Sequence, residues 1–242
     1  MDRPPFAEYC LRLADDRIVL GSRLSEWCGH APILEEDIAL ANIALDLIGQ
    51  ANLFYGLVGD PDQLAYLRDA IDYHNALMVE LPKGDFAFTI MRQFLFSAAA
   101  LPHMEALARS TNTDLAGVAA KAAKETRYHV RHAGDWVLKL GDGTDESHRR
   151  AQDALNQLWR YTGELFLMDA VDEALIADGV APRLDAARWR ETVTDVITRA
   201  TLTVPDEGYM QRGGRHGRHT EALGHLLSEM QILQRSHPGA KW

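Results

Sequence analysis

One stretch of the chain decides its fold: residues 34–58, which read LEEDIALANIALDLIGQANLFYGLV. Apolar side chains occur on nearly every side of a helix built from this stretch, and no alternation typical of a strand is present. A helix that is apolar all round is expected to lie inside a protein. Its polar exceptions, Asn42, Asp46 and Gln50, are four residues apart and therefore share one face.

The rest of the chain repeats this helical pattern between short breakers rich in glycine, proline and aspartate. The expected helices cover about 5–29, 34–58, 61–78, 86–109, 113–141, 145–177, 184–202 and 220–234. Asp60 and Thr113 are the expected caps of the third and fifth. Long helices joined by short loops predict an antiparallel all-α bundle. No linker divides residues 1–242, so we expect a single domain.

Composition and charge exclude several classes of function. Hydrophobic residues make up 47% of the 242, and the formal net charge of −10 argues against nucleic acid as a partner, because phosphates require a basic surface. Cys10 and Cys28 are too few for a disulfide framework or a four-thiolate metal site. The first residues show no secretory pattern, and the apolar run 94–101 is too short to span a bilayer. We expect a cytoplasmic protein with no membrane partner.

Carboxylates and histidines that face inward in a helical bundle are typical of a di-iron centre. Such a centre takes a Glu from each of two helices and a Glu-x-x-His pair from each of the other two. No glutamate in this chain has a histidine three residues later. The pairs Glu125/His129 and Glu221/His225 are four residues apart, and the fourth helix offers Arg92 but no carboxylate at its centre. We therefore expect no metal in this chain.

Residues 213–219, GGRHGRH, form a basic segment in an acidic chain. One interpretation is that the segment grips a phosphate of a nucleotide-like ligand. The other, which we favour, is a flexible loop or a contact between subunits, because loops of this composition are common.

Several stretches carry a resemblance to a known family. They are residues 34–51, 125–129, 219–225, 228–231 and 238–242. Through them the chain resembles, from end to end, the non-catalytic structural subunit of bacterial phenylacetyl-CoA 1,2-epoxidase (the PaaC-type subunit of phenylacetate-CoA oxygenase). The resemblance implies a ferritin-like helical bundle with additional peripheral helices.

The catalytic subunit of that family carries the di-iron site, and the resemblance implies which ligand positions differ here. Where the catalytic subunit has Asp-Glu-Leu-Gly-His, this chain has residues 46–50, DLIGQ. Leu47 therefore stands in place of the glutamate, and Gln50 in place of the histidine. In the second repeat, Thr126 replaces the ligating glutamate while His129 is kept.

These changes suggest how the chain could do without iron. We hypothesise that the stripes Asp46/Gln50 and Glu125/His129 form a hydrogen-bonded substitute for the metal, because buried polar groups need partners. Lys121 is a candidate for the missing positive charge, although a solvated lysine is the plainer interpretation.

The resemblance also implies a function. The complex oxidises the ring of phenylacetyl-CoA to a 1,2-epoxide in aerobic phenylacetate catabolism, with dioxygen and with NADPH electrons delivered through a flavin and iron–sulfur reductase. The chemistry would occur in the di-iron catalytic subunit. This chain, with no catalytic residue or cofactor of its own, would stabilise and scaffold that subunit in a heterodimer or higher hetero-oligomer that also meets the reductase. Two alternatives stay open: an independent di-iron oxygenase, and a metal-free helical adaptor unrelated to oxygenation.

Overall fold

The computed structural model describes residues 3–240, and in that range the chain forms ten α-helices and no β-strand. The all-α prediction is therefore confirmed. In chain order the helices are α1 (Pro5–Ser25), α2 (Leu34–Gly56), α3 (Pro61–Tyr66), α4 (Leu77–Glu80), α5 (Phe86–Leu107), α6 (Thr113–Gly141), α7 (Asp145–Trp159), α8 (Ala170–Ala177), α9 (Ala186–Arg199) and α10 (Glu221–Ser236).

The helices fall into two compact units. The first consists of Met1–Pro82 and Arg212–Trp242, and the second of Lys83–Gln211. Each unit is built around one antiparallel pair of long helices. The expectation that residues 1–242 form a single domain stays a prediction.

In the first unit, α1 pairs with α2. Asp15 of α1 meets Tyr55 of α2, and Gly21 lies against Ala44, so the two helices run in opposite directions. A Cβ atom added to Gly21 would lie 3.1 Å from the carbonyl oxygen of Ala44, and glycine therefore allows the close approach of the two backbones. Because α1 is buried along almost its whole length, it forms the centre of this unit.

In the second unit, α5 pairs with α6 in the same antiparallel manner. The rings of Phe86 and Trp136 lie 5.0 Å apart near one end, and Arg127 donates to Glu105 over 2.7 Å towards the other. The indole N–H of Trp189 on α9 donates to a backbone carbonyl of α5 over 3.1 Å. This bond fixes α9 against the α5–α6 pair.

The single helix expected over residues 61–78 is wrong. The structure has two short helices there, α3 and α4, with a 3-10 turn between them. The backbone N–H of His74 donates to the Asp15 carboxylate over 2.8 Å, and that of Ala76 donates to Asp16 over 2.7 Å. Carboxylates of α1 thus take the donors that a continuous helix would use, and the segment follows α1 instead of its own helical path.

The helix expected over residues 145–177 is also wrong, because it breaks into α7, a 3-10 turn and α8. The hydroxyl of Thr162 donates to the carbonyl of Trp159 over 2.8 Å where α7 ends. Asp169 then accepts from the N–H of Val171 over 2.9 Å and begins α8 as its cap.

Two predicted caps have different outcomes. Asp60 does cap α3, and its side chain accepts from the backbone N–H of Asp62 over 2.9 Å. Thr113 does not cap α6, since Asn112 takes that role by accepting from the N–H of Leu115 over 3.0 Å.

The expectation that α2 is buried on all sides is wrong. Ile38 and Leu45 are 55% and 65% exposed, on the side of the helix opposite to its buried face. The buried face includes Leu40, Ile43, Leu47, Ala51 and Phe54. By length and composition, α2 alone among the helices of residues 3–240 could cross a membrane, a criterion that core helices of soluble proteins also meet.

Candidate functional site

The first half of the predicted site contains a buried contact between Gln50 of α2 and Arg17 of α1. The Nε–H of Arg17 donates to the amide oxygen of Gln50 over 2.9 Å, and a terminal nitrogen donates to the carbonyl oxygen of Leu13 over 2.7 Å. The guanidinium lies 4.8 Å from the centroid of the Phe54 ring. Burial lowers the pKa of Arg17 to about 10, so the group stays charged at neutral pH. A cation therefore lies beside the position where the resemblance places a lost histidine ligand.

The other predicted positions on α2 differ in burial. Leu47 is 2% exposed and belongs to the apolar core, where it offers no donor atom to a metal. Asp46 is half-buried, and Asn42 is exposed. The polar stripe therefore runs from the surface into the core, and Gln50 is its fully buried end.

The predicted positions in the second unit lie on α6. Thr126 and His129 are buried, with 3% and 1% exposure. Glu125 is partly buried and pairs with the ammonium of Lys121 over 3.1 Å, but the Lys121 side chain is 57% exposed. The hypothesis that Lys121 supplies a buried positive charge is therefore wrong. The predicted contact between the stripes of α2 and α6 stays a prediction.

Helix α5 contributes buried polar groups that are not carboxylates. Arg92 and Gln93 are both fully buried. The amide nitrogen of Gln93 donates to the hydroxyl of Ser97 over 2.7 Å, and the Arg92 guanidinium lies 5.7 Å from the centroid of the Phe88 ring. The helix that would offer a bridging carboxylate in a di-iron protein thus presents a cation and an amide.

These residues do not fit a di-iron centre. Iron in such centres takes carboxylate and imidazole ligands, but Leu47 has no donor and the Gln50 oxygen already accepts from a guanidinium. The charge of Arg17 would also repel a metal cation held at this position. Within residues 3–240, no group of three His, Cys, Asp or Glu side chains could hold a metal ion. That this chain contains no metal nevertheless stays a prediction, which direct metal analysis must test.

A second polar cluster, centred on Asp15, is not predicted by the sequence. The buried Asp15 carboxylate accepts from the Tyr55 hydroxyl over 2.5 Å, from the backbone N–H of His74 over 2.8 Å and from the Arg68 guanidinium. Burial and then the nearby Asp15 charge raise the pKa of Tyr55. Burial alone would lower the pKa of Arg68, but its contacts with Asp15 raise it. The only sequence signal for this cluster is the charged run 15–17 inside an otherwise apolar helix.

The basic segment 213–219 closes this cluster from outside. Arg215 donates twice to the Asp16 carboxylate, over 2.9 and 2.8 Å, and also to the carbonyl oxygen of His74 over 2.9 Å. The paired geometry matches the fork of a guanidinium to the two oxygens of a carboxylate. Arg215 is thus engaged inside the first unit and does not face a ligand.

The end of the same segment is held by Glu80. His219 places Nδ1 2.7 Å from the Glu80 carboxylate and Nε2 2.8 Å from the carbonyl oxygen of Tyr73. Because both nitrogens face acceptors, both carry protons and the ring is charged. Burial alone would lower the pKa of His219, but the hydrogen bond and charge of Glu80 raise it. Glu80 also accepts from the N–H of Thr220 over 2.6 Å, so the segment anchors the start of α10, and the phosphate-binding interpretation loses its central cations.

Comparison with known proteins gives two findings. All of residues 1–242 match the family model described as "Phenylacetic acid catabolic protein". A relative from Escherichia coli (strain K12), described as the C-type subunit of 1,2-phenylacetyl-CoA epoxidase, is 48% identical, and the match covers 97% of this chain and 98% of the relative. The similarity therefore extends over nearly the full length of both chains.

Proposed function

The chain belongs to the phenylacetic acid catabolic protein family, and we propose that it is the non-catalytic structural subunit of a phenylacetyl-CoA epoxidase. The observation that carries this proposal is the 48% identity to the C-type subunit of the Escherichia coli epoxidase over 97% of the chain. Such similarity between full-length chains supports the same role in the same kind of complex.

The donor atoms of the predicted site support the non-catalytic part of the proposal. A di-iron oxygenase activates dioxygen at a metal pair, and the protein must supply carboxylates for that pair. Here Leu47 lacks a donor atom, and Arg17 places a cation against Gln50. The degenerate positions Asp46, Leu47, Gln50, Glu125, Thr126 and His129 thus serve packing and hydrogen bonding in this proposal.

The remainder of the proposal concerns the complex. A related di-iron catalytic subunit would perform the epoxidation of the phenylacetyl-CoA ring, and a reductase with flavin and an iron–sulfur centre would deliver electrons from NADPH. The present chain would hold the catalytic subunit in its folded, assembled form. A cytoplasmic location is part of the same proposal, since the substrate is a coenzyme A thioester.

Coexpression with the related catalytic subunit tests the proposal. The two chains should copurify in a stable complex, and native mass and metal analysis should assign iron to the catalytic subunit. The present chain purified alone should contain far less than one iron per chain and should show no dioxygen-dependent turnover.

Two results would contradict the proposal in different ways. About two irons per chain, together with dioxygen-dependent turnover by this chain alone, would favour an independent di-iron oxygenase. Failure of the two folded chains to associate would favour an adaptor unrelated to oxygenation.

A further inference from the structure

Helix α2 has two apolar faces on opposite sides. One packs against α1 and is fully buried, as at Leu40 and Leu47. The other carries Leu34, Ile38 and Leu45, which are 72%, 55% and 65% exposed. A surface helix ordinarily has an apolar face towards the core and a polar face towards water. The second apolar face is therefore not explained by the folding of this unit.

The exposed face is continuous. Its positions 34, 38, 41, 45 and 49 follow one another at intervals of three or four residues, the spacing with which one helix packs along another. It extends over about 22 Å of helix, from a rise of about 1.5 Å per residue. We call the side chains of these five positions the outer α2 face: Leu34, Ile38, Ala41, Leu45 and Gly49.

Gly49 supports a packing role for the outer α2 face. A Cβ atom added there would meet nothing within 4 Å, so packing inside the chain does not require glycine at this position. Glycine in the middle of a helix costs about 1 kcal/mol relative to alanine. A residue that is unfavourable for the isolated helix, beside exposed leucine and isoleucine, is expected where another backbone approaches closely.

The charge around this face indicates the kind of occupant. Helix α2 carries Glu35, Glu36, Asp37 and Asp46 but no lysine or arginine. A second copy of this chain, itself of net charge −10, would bring the same carboxylates against these. A partner with basic side chains beside an apolar centre is therefore favoured over self-association.

A bilayer fits the observations less well. Insertion of α2 would separate it from α1 and break the hydrogen bonds of Gln50 with Arg17 and of Tyr55 with Asp15. Anionic lipid would also repel the carboxylates of α2.

We propose that the outer α2 face is the docking surface for a helix of the related di-iron catalytic subunit, apolar along its contact and flanked by lysine or arginine. This inference rests on the proposed function, because it takes its occupant from the proposed complex. The contact buries the exposed leucine and isoleucine side chains and places a partner backbone over Gly49.

The test compares wild type with Ile38→Lys/Leu45→Lys, using the purified catalytic subunit as the probe. The matched control is Ile232→Lys/Leu233→Lys on α10, where the replaced side chains are 57% and 53% exposed. The α2 variant should raise the Kd about 100-fold or more, because burial of two large aliphatic side chains is lost. The α10 control should bind within about threefold of wild type, and circular dichroism should show both variants folded.

A second variant, Gly49→Leu, separates folding from docking. Leucine favours a helix over glycine and has open space here, so the melting temperature of the isolated chain should be unchanged or higher. Its affinity for the catalytic subunit should nevertheless fall at least about 10-fold, because the added side chain holds the partner backbone away.

The outcomes distinguish the inference from the function on which it rests. If wild type itself fails to bind the catalytic subunit, the proposed function is overturned and the docking surface with it. If wild type binds and both α2 variants bind equally well, the function stands and this surface is wrong. Loss of wild-type self-association, or of binding to phosphatidylglycerol vesicles, in variants that still bind the catalytic subunit would assign the face to a second copy or to a membrane instead.

Discussion

Arg17 and Gln50 are expected to stabilise the first unit only as a pair. In Gln50→Leu, the Nε–H of Arg17 loses the acceptor that lies 2.9 Å away, while the guanidinium stays buried and charged. In Arg17→Met/Gln50→Leu, an apolar pair of similar volume replaces both groups. Breaking a buried polar pair costs more than replacing it, because a single change leaves one desolvated partner behind.

The magnitude follows from the kind of bond. A hydrogen bond to a charged group contributes about 1.5–3 kcal/mol. We expect Gln50→Leu to lose about 2 kcal/mol, which in a chain of this size lowers the melting temperature by roughly 4–8 °C. The loss is limited because Arg17 keeps its contacts with Leu13 and Phe54. The double variant should lie within about 1 kcal/mol of wild type, so the coupling energy of the pair is about 2 kcal/mol.

Thermal and urea unfolding, followed by circular dichroism on wild type, the two single variants and the double variant, measures this coupling. Asn42→Ala is the matched control on α2, since Asn42 is exposed and should change stability by less than about 0.5 kcal/mol. If the losses of Gln50→Leu and Arg17→Met simply add in the double variant, the two residues do not act as a pair and the reasoning fails.

Three further predictions concern charged groups whose surroundings differ. Because the folded pKa of His219 is raised, its stabilisation is complete below the unfolded value of about 6.5 and is lost as the pH rises through the folded pKa; wild type should therefore lose more melting temperature between pH 6 and 9 than His219→Gln, and parallel curves would contradict the charged ring. Arg215→Met leaves a buried carboxylate without its fork and should cost about 3 kcal/mol in urea unfolding, whereas the exposed Arg218→Met should cost close to nothing. Lys121→Ala removes an exposed pair with Glu125 and should shift stability by less than about 0.5 kcal/mol, so a large loss in thermal melts would restore a structural role for that lysine.

The long helices were predictable because their signals are local. The ranges expected for the helices now seen as α2, α5 and α6 agree with the structure within about two residues, since breakers and caps lie beside the residues that they affect. The broken helix over 61–78 was not predictable in this way. Its backbone donors at His74 and Ala76 bond to carboxylates 59 and 60 residues earlier in the chain. A pattern read along the sequence contains no information about such a distant acceptor.

The predicted site shows the same division. The resemblance identified Leu47 and Gln50 as changed ligand positions, but it did not indicate what now bonds to Gln50. Arg17 lies 33 residues away on another helix, so no spacing relates the two. Lys121 was selected because it lies four residues before Glu125. That spacing places two residues on one helical face, but it does not say whether the face is buried.

The two faces of α2 connect the loss of metal chemistry with the proposed role in assembly. A chain that lost only its ligands would keep a buried cavity and polar groups without partners, at a cost to its stability. Here a leucine fills one ligand position, and an amide that accepts from Arg17 fills another, so the inner face of α2 packs by itself. Restoring Glu and His at positions 47 and 50 would therefore not be enough for iron, because the guanidinium would remain beside them. With the inner face committed to the fold, the part of α2 still available for function is its outer face, where Ile38 and Leu45 remain exposed. Selection on such a chain acts through the affinity for its partner and not through turnover of its own.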